Sequence, residues 1–406
     1  MDKHVLNSID PITIGERLAE ARRARGLTQQ QAADALGVAR TTITAMEKGV
    51  RRPRAVELVT LARLYGRPVG ELVRPVPQAP RPNFVVQFRA ARGSEEGSAD
   101  PDVQRFEDLC RWYVDLEELL GAPLPRRYPG VYDVSGTPPE RAAEEVAASE
   151  RNRLGLGDGP VGDLWGMLET DVGLRVFVLP MANRRIAGMF LFTEEYGGCV
   201  AVNANHPEAR RRWSAVHEYA HFLANRFKPE ITILNLYKRV PESERFADAF
   251  ARIFLMPAAG LSRRFEAIRR AKNQPITPAD VLALSHLYRV SFQAMTWRLE
   301  ELKLLPAGTW DRLREFGFQP TKALELMHLP GHEAALPNLP HRYVALAVQA
   351  HEAGHLSEGQ LAERLGTDRV GARQYVRDLT TEPHPFEGGE WRQVPLDLTA
   401  ALVGLS

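Results

Sequence analysis

The alternation of apolar and polar positions divides the 406-residue chain into helical segments and one short strand-rich segment. Apolar residues recur at helical spacing over residues 10–74 and again from Pro207 to about residue 335. Between them, apolar runs at 172–180, 186–192 and 198–203 have the length and β-branched content of strands. The pattern predicts a mainly α fold with a small β-sheet, of the α+β class.

Composition narrows the class of protein. The chain is 44% apolar and 25% charged, which is typical of a soluble globular protein. No run approaches the roughly 18 apolar residues of a membrane helix, and the first residues lack a signal-peptide core, so we expect a cytoplasmic protein without a membrane partner. Cys110 and Cys199 are the two cysteines and form no C-x-x-C pair, so free thiols are expected.

The net charge of +1 conceals an asymmetry along the chain. Residues 1–81 hold 14 Lys or Arg against 8 Asp or Glu, whereas the remainder holds 38 against 43. A basic front on a mildly acidic body indicates a surface that faces nucleic acid.

Helix-terminating residues in this basic segment predict a helix-turn-helix. Gly26 ends a first helix, Thr28 caps a second, Gly37 forms the turn, and a third helix stops at Gly49. The positions left outward carry hydrogen-bonding side chains: Gln29, Arg40, Thr41, Thr42 and Thr44.

From Gly26 to Pro53 the chain resembles the XRE family of repressor-type helix-turn-helix domains, through "GLTQ", "TTI" and "EKG" followed by basic residues. The resemblance implies a five-helix-type domain, often dimeric, that binds a double-stranded DNA operator. It implies that Gln29 and residues 40–44 face the major groove and that Glu47 pairs with Arg17. The arginines implied to contact phosphates are Arg51, Arg52 and Arg54.

The segment "WSAVHEYAHFLANRF", residues 213–227, carries candidate metal chemistry. His217 and His221 are four residues apart and share one helix face, so both imidazoles can reach one cation. Glu218 can take a proton from a water that the cation acidifies. The stripe expected to be buried is Trp213, Val216, Ala220, Leu223 and Phe227.

A third ligand is predicted on a later helix, "ESERFADAFARIFLMP". Glu244 follows His221 after 22 residues, and Asp248 lies one turn further on the same face. In an E-x-x-x-D arrangement the glutamate binds the metal and the aspartate orients a histidine ligand.

Residues 140–260 resemble the ImmA/IrrE family of metallopeptidases, through the strand "GCVAVN", the H-E-x-x-H helix and the closing "FLMP". The resemblance implies a zincin-like fold with zinc held by His217, His221 and Glu244, and Glu218 as general base. Phe246 replaces a glutamate that is frequent in the family. The implied substrate is a transcriptional repressor, and we expect the strand "GCVAVN" to bind it as a sheet edge.

A second H-E-x-x-H, from His351 to His355, is interpreted as coincidental because Gly354 interrupts the helix and Ser357 caps a new one. The segment from 355 to 379 is itself helix-turn-helix-like. The amphipathic residues 278–305 are assigned to core packing.

These segments predict a DNA-binding regulator with zinc-dependent endopeptidase activity. One alternative is a transcription factor whose peptidase-like domain senses a ligand or metal without catalysis, and another is a toxin-antitoxin or phage-defence component. The predicted domains are the helix-turn-helix at 1–75, a linker at 76–105, the peptidase domain at 106–262, a helical extension at 263–335 and a C-terminal helical region, possibly helix-turn-helix-like, at 336–406.

Overall fold

The computed structural model describes most of the chain and divides it into two compact units, 1–104 and 105–406. The described residues are 10–67, 69–73, 101–227, 230–233, 241–272, 275–329, 339–385 and 391–395. Helices dominate both units and a small sheet lies in the second, which confirms the predicted fold class. None of the helices in these stretches is long and apolar enough to cross a membrane.

The first unit is a five-helix domain, as predicted. Its helices are α1 (Pro11–Ala24), α2 (Gln29–Leu36), α3 (Arg40–Glu47), α4 (Ala55–Tyr65) and α5 (Val69–Val73). Thr28 and Gln31 form a capping box at the start of α2, and Gly37 ends that helix in the left-handed conformation with φ of 66°. The core between the helices includes Leu18, Ala32, Ile43, Met46 and Leu58.

One predicted contact in this unit is wrong. Glu47 pairs with Arg22, with Oε1 2.6 Å from Nε, and not with Arg17. Arg17 instead donates to the carbonyl oxygen of Leu72 at 3.4 Å. Arg17 and Arg22 are five residues apart on α1, so their side chains point in directions that differ by about 140°. Arg22 therefore faces α3, whereas Arg17 faces α5.

The rest of the chain contains a four-stranded sheet surrounded by helices. Its strands are β1 (Arg175–Leu179), β2 (Ile186–Thr193), β3 (Gly197–Asn203) and β4 (Glu230–Ile233). The helices before them are α6 (Pro101–Leu119) and α7 (Pro139–Arg153), followed by a turn at Leu164–Gly166 that continues into a π-helix at Met167–Val172. After the strands and between them come α8 (Glu208–Asn225), α9 (Glu242–Leu255), α10 (Ala258–Lys272), α11 (Pro278–Tyr288), α12 (Phe292–Glu301), α13 (Thr309–Glu315) and α14 (Pro320–Leu326).

The strand order is β1-β3-β2-β4, which corrects the expectation that "GCVAVN" is a sheet edge. β3 pairs in parallel with β1 and antiparallel with β2, so both of its backbone edges are used inside the sheet. β4, which the sequence pattern did not predict, pairs antiparallel with β2. Among the described strands, an extended peptide can therefore join at β1 or β4 but not at β3.

α8 packs on β2 and β3 and against α9, which also packs on α7. Val216, Ala220 and Leu223 are buried as the sequence predicted, and Trp213 is partly buried. Phe227, the last residue of the predicted buried stripe, is instead 70% exposed because α8 already ends at Asn225. The helix pair α8 and α9 thus forms the centre of the second unit.

The chain continues with three helices and a hairpin: α15 (His341–Glu352), α16 (Glu358–Leu365), α17 (Arg369–Thr380), β5 (Thr381–Pro385) and β6 (Trp391–Pro395). Ser357 caps α16, as predicted. α15 ends at Glu352, so His351 lies on the helix and His355 lies exposed beyond it. The β5–β6 hairpin was not predicted.

The two cysteines are free, as expected, but they meet in the fold. Cys110 on α6 and Cys199 on β3 are both fully buried and are neighbours, and the Cys199 thiol donates to the carbonyl oxygen of Tyr196 at 3.8 Å. Burial first, and then the neighbouring thiol, raises the pKa of Cys110 well above its usual value. The Cys110 thiol is therefore held in the neutral form.

Candidate metal centre

The predicted metal ligands converge at the contact between α8 and α9. His217 Nε2 lies 3.1 Å from His221 Nε2 and 3.3 Å from Glu244 Oε2. The distance from His221 Nε2 to Glu244 Oε1 is 3.5 Å. All three residues are buried, and they are the one cluster of this kind within the described stretches.

These distances allow a direct test of whether zinc fits. Ligand atoms about 2.0–2.2 Å from a tetrahedral zinc lie about 3.3–3.6 Å from one another. The two imidazole nitrogens are 3.1 Å apart, and each lies 3.3–3.5 Å from one of the two Glu244 oxygens, so the three side chains are close enough together to hold one zinc. Two imidazoles and one carboxylate are also a ligand set that zinc commonly takes in catalytic sites.

Asp248 orients His217 from outside this group. Its Oδ1 lies 3.0 Å from His217 Nδ1, and because a carboxylate accepts hydrogen bonds, Nδ1 carries the proton and Nε2 points at the cluster. The indole N–H of Trp213 donates to the same Oδ1 at 3.4 Å. Trp213 thus has a role that its place in the apolar stripe did not reveal.

The electrostatics of the cluster favour a cation. Burial lowers the pKa of His217, but the hydrogen bonds that it donates to the Asp248 and Glu244 carboxylates outweigh burial and raise that pKa to about 9. Burial raises the pKa of Glu244, and the hydrogen bonds of His217 and His221 more than reverse this, so its carboxylate stays ionised. The anionic surroundings that favour a proton on His217 favour a metal ion in its place.

Glu218 lies between α8 and the sheet, and β2 leaves room for it. The side chain of Glu218 is fully buried beside Gly188 on β2. A Cβ at position 188 would lie 2.4 Å from Glu218 Oε1 and 2.9 Å from its Cγ. Glycine at this position therefore permits the observed placement of the carboxylate, a relation that spacing alone could not indicate.

A cleft of about 390 Å³ opens one helical turn beyond the cluster. Asn225, four residues after His221, lies in its wall together with Ser243 and Phe246 from α9. The opposite wall is the extended segment that includes Tyr132, whose backbone N–H donates to Leu223 O at 2.9 Å. The cleft adjoins both elements that supply the cluster.

The predicted DNA-contacting residues lie on α2, α3 and the loop after α3. Arg40, Thr41, Arg52 and Arg54 are exposed, and Thr42 and Thr44 are partly exposed. Gln29 donates to Glu47 Oε2 at 2.9 Å, so its amide is held in a fixed orientation. Arg51 is paired with Glu57 at 2.8 Å, which ties its charge to α4. Their contacts with DNA stay a prediction.

A five-helix helix-turn-helix unit and a buried His-His-Glu cluster define a DNA-binding regulator joined to a metallopeptidase-like domain. The profile of the helix-turn-helix family matches residues 18–72, and the profile of the IrrE N-terminal-like domain, Peptidase_M78, matches residues 169–300. The chain belongs to the XRE-type helix-turn-helix transcriptional regulators and carries an IrrE/ImmA-like domain. Both predicted resemblances are confirmed.

Two curated proteins are similar to the helix-turn-helix part. The cryptic phage CTXphi transcriptional repressor RstR of Vibrio cholerae is 37% identical over 57 residues, or 14% of this chain and about half (51%) of that protein. The uncharacterized HTH-type transcriptional regulator y4dJ of Sinorhizobium fredii is 33% identical over 67 residues, 16% of this chain and 87% of that protein.

One solved structure with partial similarity to this chain is Bacillus thuringiensis PlcR in complex with the peptide PapR7 and DNA. It matches 90% of this chain and 91% of its own at 11% identity, with a TM-score of 0.16. A score this low does not indicate a common fold.

Proposed function

We propose that the protein is a DNA-binding regulator with zinc-dependent endopeptidase activity. The observation that carries the proposal is the buried cluster of His217, His221 and Glu244, whose ligand atoms lie close enough together to hold one zinc. Asp248 completes the E-x-x-x-D arrangement by holding the His217 ring in the ligating orientation.

The chemistry follows from the residues around the cluster. Zinc, when bound, polarises a peptide carbonyl and acidifies water. Glu218, next to His217 on α8, accepts the proton of the attacking water and delivers it to the leaving amine nitrogen. The cleft beside Asn225 and Phe246 holds the peptide next to the cluster, and its backbone joins the sheet at β4 rather than at β3.

The proposed substrate is a transcriptional repressor in a stress, phage or mobile-element response in the cytoplasm. Support comes from the helix-turn-helix, which places the peptidase on operator DNA where repressors concentrate. RstR, a phage repressor by name, is similar to this part of the chain. Binding as a homodimer to a two-fold symmetric operator suits a domain of this kind.

Metal analysis and a matched pair of variants test the proposal. Purified wild type should contain one zinc per chain, and Glu218→Gln should keep that zinc but lose peptide cleavage because an amide does not accept the proton. His221→Ala should lose the zinc. The control is the double variant His351→Ala, His355→Ala, which removes the second H-E-x-x-H and should retain both zinc and cleavage.

Two outcomes would replace the proposal. Loss of zinc in the His351, His355 variant would move the metal site to α15. Zinc in the wild type without cleavage of any candidate repressor, together with normal regulation by Glu218→Gln, would establish the sensor alternative.

A further inference from the structure

Residues 356–369 repeat residues 27–40, which form the first helix and the turn of the helix-turn-helix, at a constant offset. Gly37 and Gly366, each ending the first helix of its pair, are 329 positions apart in the chain. Six further identities or close matches keep the same offset: Leu27 with Leu356, Thr28 with Ser357, Gln31 with Gln360, Ala33 with Ala362, Leu36 with Leu365, and Arg40 with Arg369.

The structures of the two segments agree as closely as their sequences. Thr28 and Ser357 each form a capping box with a glutamine three residues later. Gly37 has φ 66° and ψ 33°, and Gly366 has φ 63° and ψ 34°. The backbone therefore turns in the same direction after α16 as it does after α2.

A β-hairpin follows the second of these helices directly. α17 ends at Thr380, and β5 begins at Thr381 and pairs antiparallel with β6, Thr381 opposite Pro395. α15 supports the pair from behind, with Tyr343, Leu346 and Ala350 buried. Three helices and a following hairpin are the layout of a winged helix-turn-helix, in which one helix and one β-ribbon can both enter DNA grooves.

Exposed arginines in this module lie on α17. Arg369, Arg373 and Arg377 follow one another at four-residue spacing and share one exposed face of the helix. The other two arginines of residues 341–385 are used internally: Arg342 binds Glu117 at 2.8 Å, and Arg364 is buried. Since residues 341–385 hold five arginines and six acidic residues, the positive charge is a local stripe and not a property of the whole module.

We propose that α17 and the β5–β6 hairpin form a second site for double-stranded DNA, separate from the first helix-turn-helix. Arg369 occupies the position that Arg40 has in the first unit, at the start of the second helix, where such domains approach the bases. Arg373 and Arg377 lie one and two turns further and contact phosphates. Arg373 pairs with Glu358 at 2.9 Å, but the pair is solvent-exposed and weak, so a phosphate can take the place of the carboxylate.

The test uses the full chain with the first site weakened by Arg52→Gln and Arg54→Gln. Binding to a duplex should persist in this background. Adding Arg369→Gln, Arg373→Gln and Arg377→Gln should lower the slope of log affinity against log salt by about 1.8, the value for the two phosphate contacts of Arg373 and Arg377. Fluorescence anisotropy with labelled duplex measures both quantities, and thermal unfolding confirms that each variant is folded.

Two further variants make the result specific. The charge-matched control replaces Arg269, Arg270 and Arg314, exposed arginines outside the module, by Gln and should leave the slope unchanged. Replacing Arg369, Arg373 and Arg377 by Lys keeps the charges and should retain most of the slope. The proposal is overturned if the α17 Gln variant binds with the affinity and slope of its background, or if the control weakens binding equally. Neither result depends on zinc or on proteolysis.

Discussion

Replacing Gly188 by alanine should disable the proposed general base without disturbing the metal ligands. The added Cβ would lie 2.4 Å from Glu218 Oε1, 2.9 Å from Cγ and 3.0 Å from Cδ. All three atoms belong to the flexible side chain of Glu218. The carboxylate and not the sheet will therefore give way.

The size of the effect follows from the distance. Restoring an ordinary van der Waals contact requires Oε1 to retreat by about 1 Å. A displacement of about 1 Å in a catalytic group costs on the order of 100-fold in rate, or about 2.7 kcal/mol in activation free energy. We expect Gly188→Ala to lower kcat about 100-fold while zinc content stays at that of the wild type.

The assay combines steady-state cleavage of a susceptible repressor with metal analysis of the same preparations. Gly198→Ala on β3 is the matched control, because its Cβ would lie 2.3 Å from Leu174 Cδ2 and 3.1 Å from Phe222 Cε2, in the core. It should lower Tm while the folded fraction keeps its kcat. Wild-type kcat in Gly188→Ala, or a loss of zinc from it, would refute the reasoning about Glu218.

Three further predictions concern the ligand shell, the first unit and DNA. Asp248→Ala should weaken zinc affinity about 10- to 100-fold, measured by competition with a chelator, because the His217 ring loses its orienting partner. Arg22→Ala should destabilise the first unit by about 2 kcal/mol near neutral pH, since Glu47 keeps a mostly buried charge. Burial raises the pKa of Glu47, but the hydrogen bonds of Arg22 and Gln29 have the larger effect and hold that pKa below its usual value. The difference in unfolding free energy between wild type and Arg22→Ala should therefore shrink in denaturant titrations below about pH 4, where Glu47 becomes protonated. Arg52→Gln with Arg54→Gln should weaken binding to all duplex sequences and lower the salt slope by about 1.8.

Each of these has a result that contradicts it. Unchanged zinc affinity in Asp248→Ala would mean that the His217 orientation is fixed elsewhere. A destabilisation by Arg22→Ala that is as large at pH 3 as at pH 7 would mean that the ion pair is not its cause. An affinity loss confined to one sequence would assign Arg52 and Arg54 to base contacts.

The sequence predicted local features well because they depend on neighbouring residues. Thr28 and Ser357 cap helices as their positions indicated, and the 3.6-residue period placed His217 and His221 on one face. Glu244 reached the cluster because the loop between the helices is long enough for the chain to return.

What the sequence could not predict depends on pairing between distant segments. Strand order places β3 inside the sheet, although its own residues are compatible with an edge. The choice of Arg22 over Arg17 as the partner of Glu47 depends on which face of α1 meets α3. The contact of Gly188 with Glu218 joins residues 30 positions apart and leaves no periodic trace.

The contact between Cys110 and Cys199 gives the second unit an internal reporter of its own opening. Both thiols are fully buried where α6 meets the sheet, so a thiol reagent can reach them only when that contact separates. With reclosing faster than modification, the labelling rate in native buffer measures the free energy of that opening. Alkylation followed by mass spectrometry would thus give the local stability of the sheet without denaturant. A change of the labelling rate on adding zinc would show that the cluster between α8 and α9 is energetically linked to the opposite face of β3.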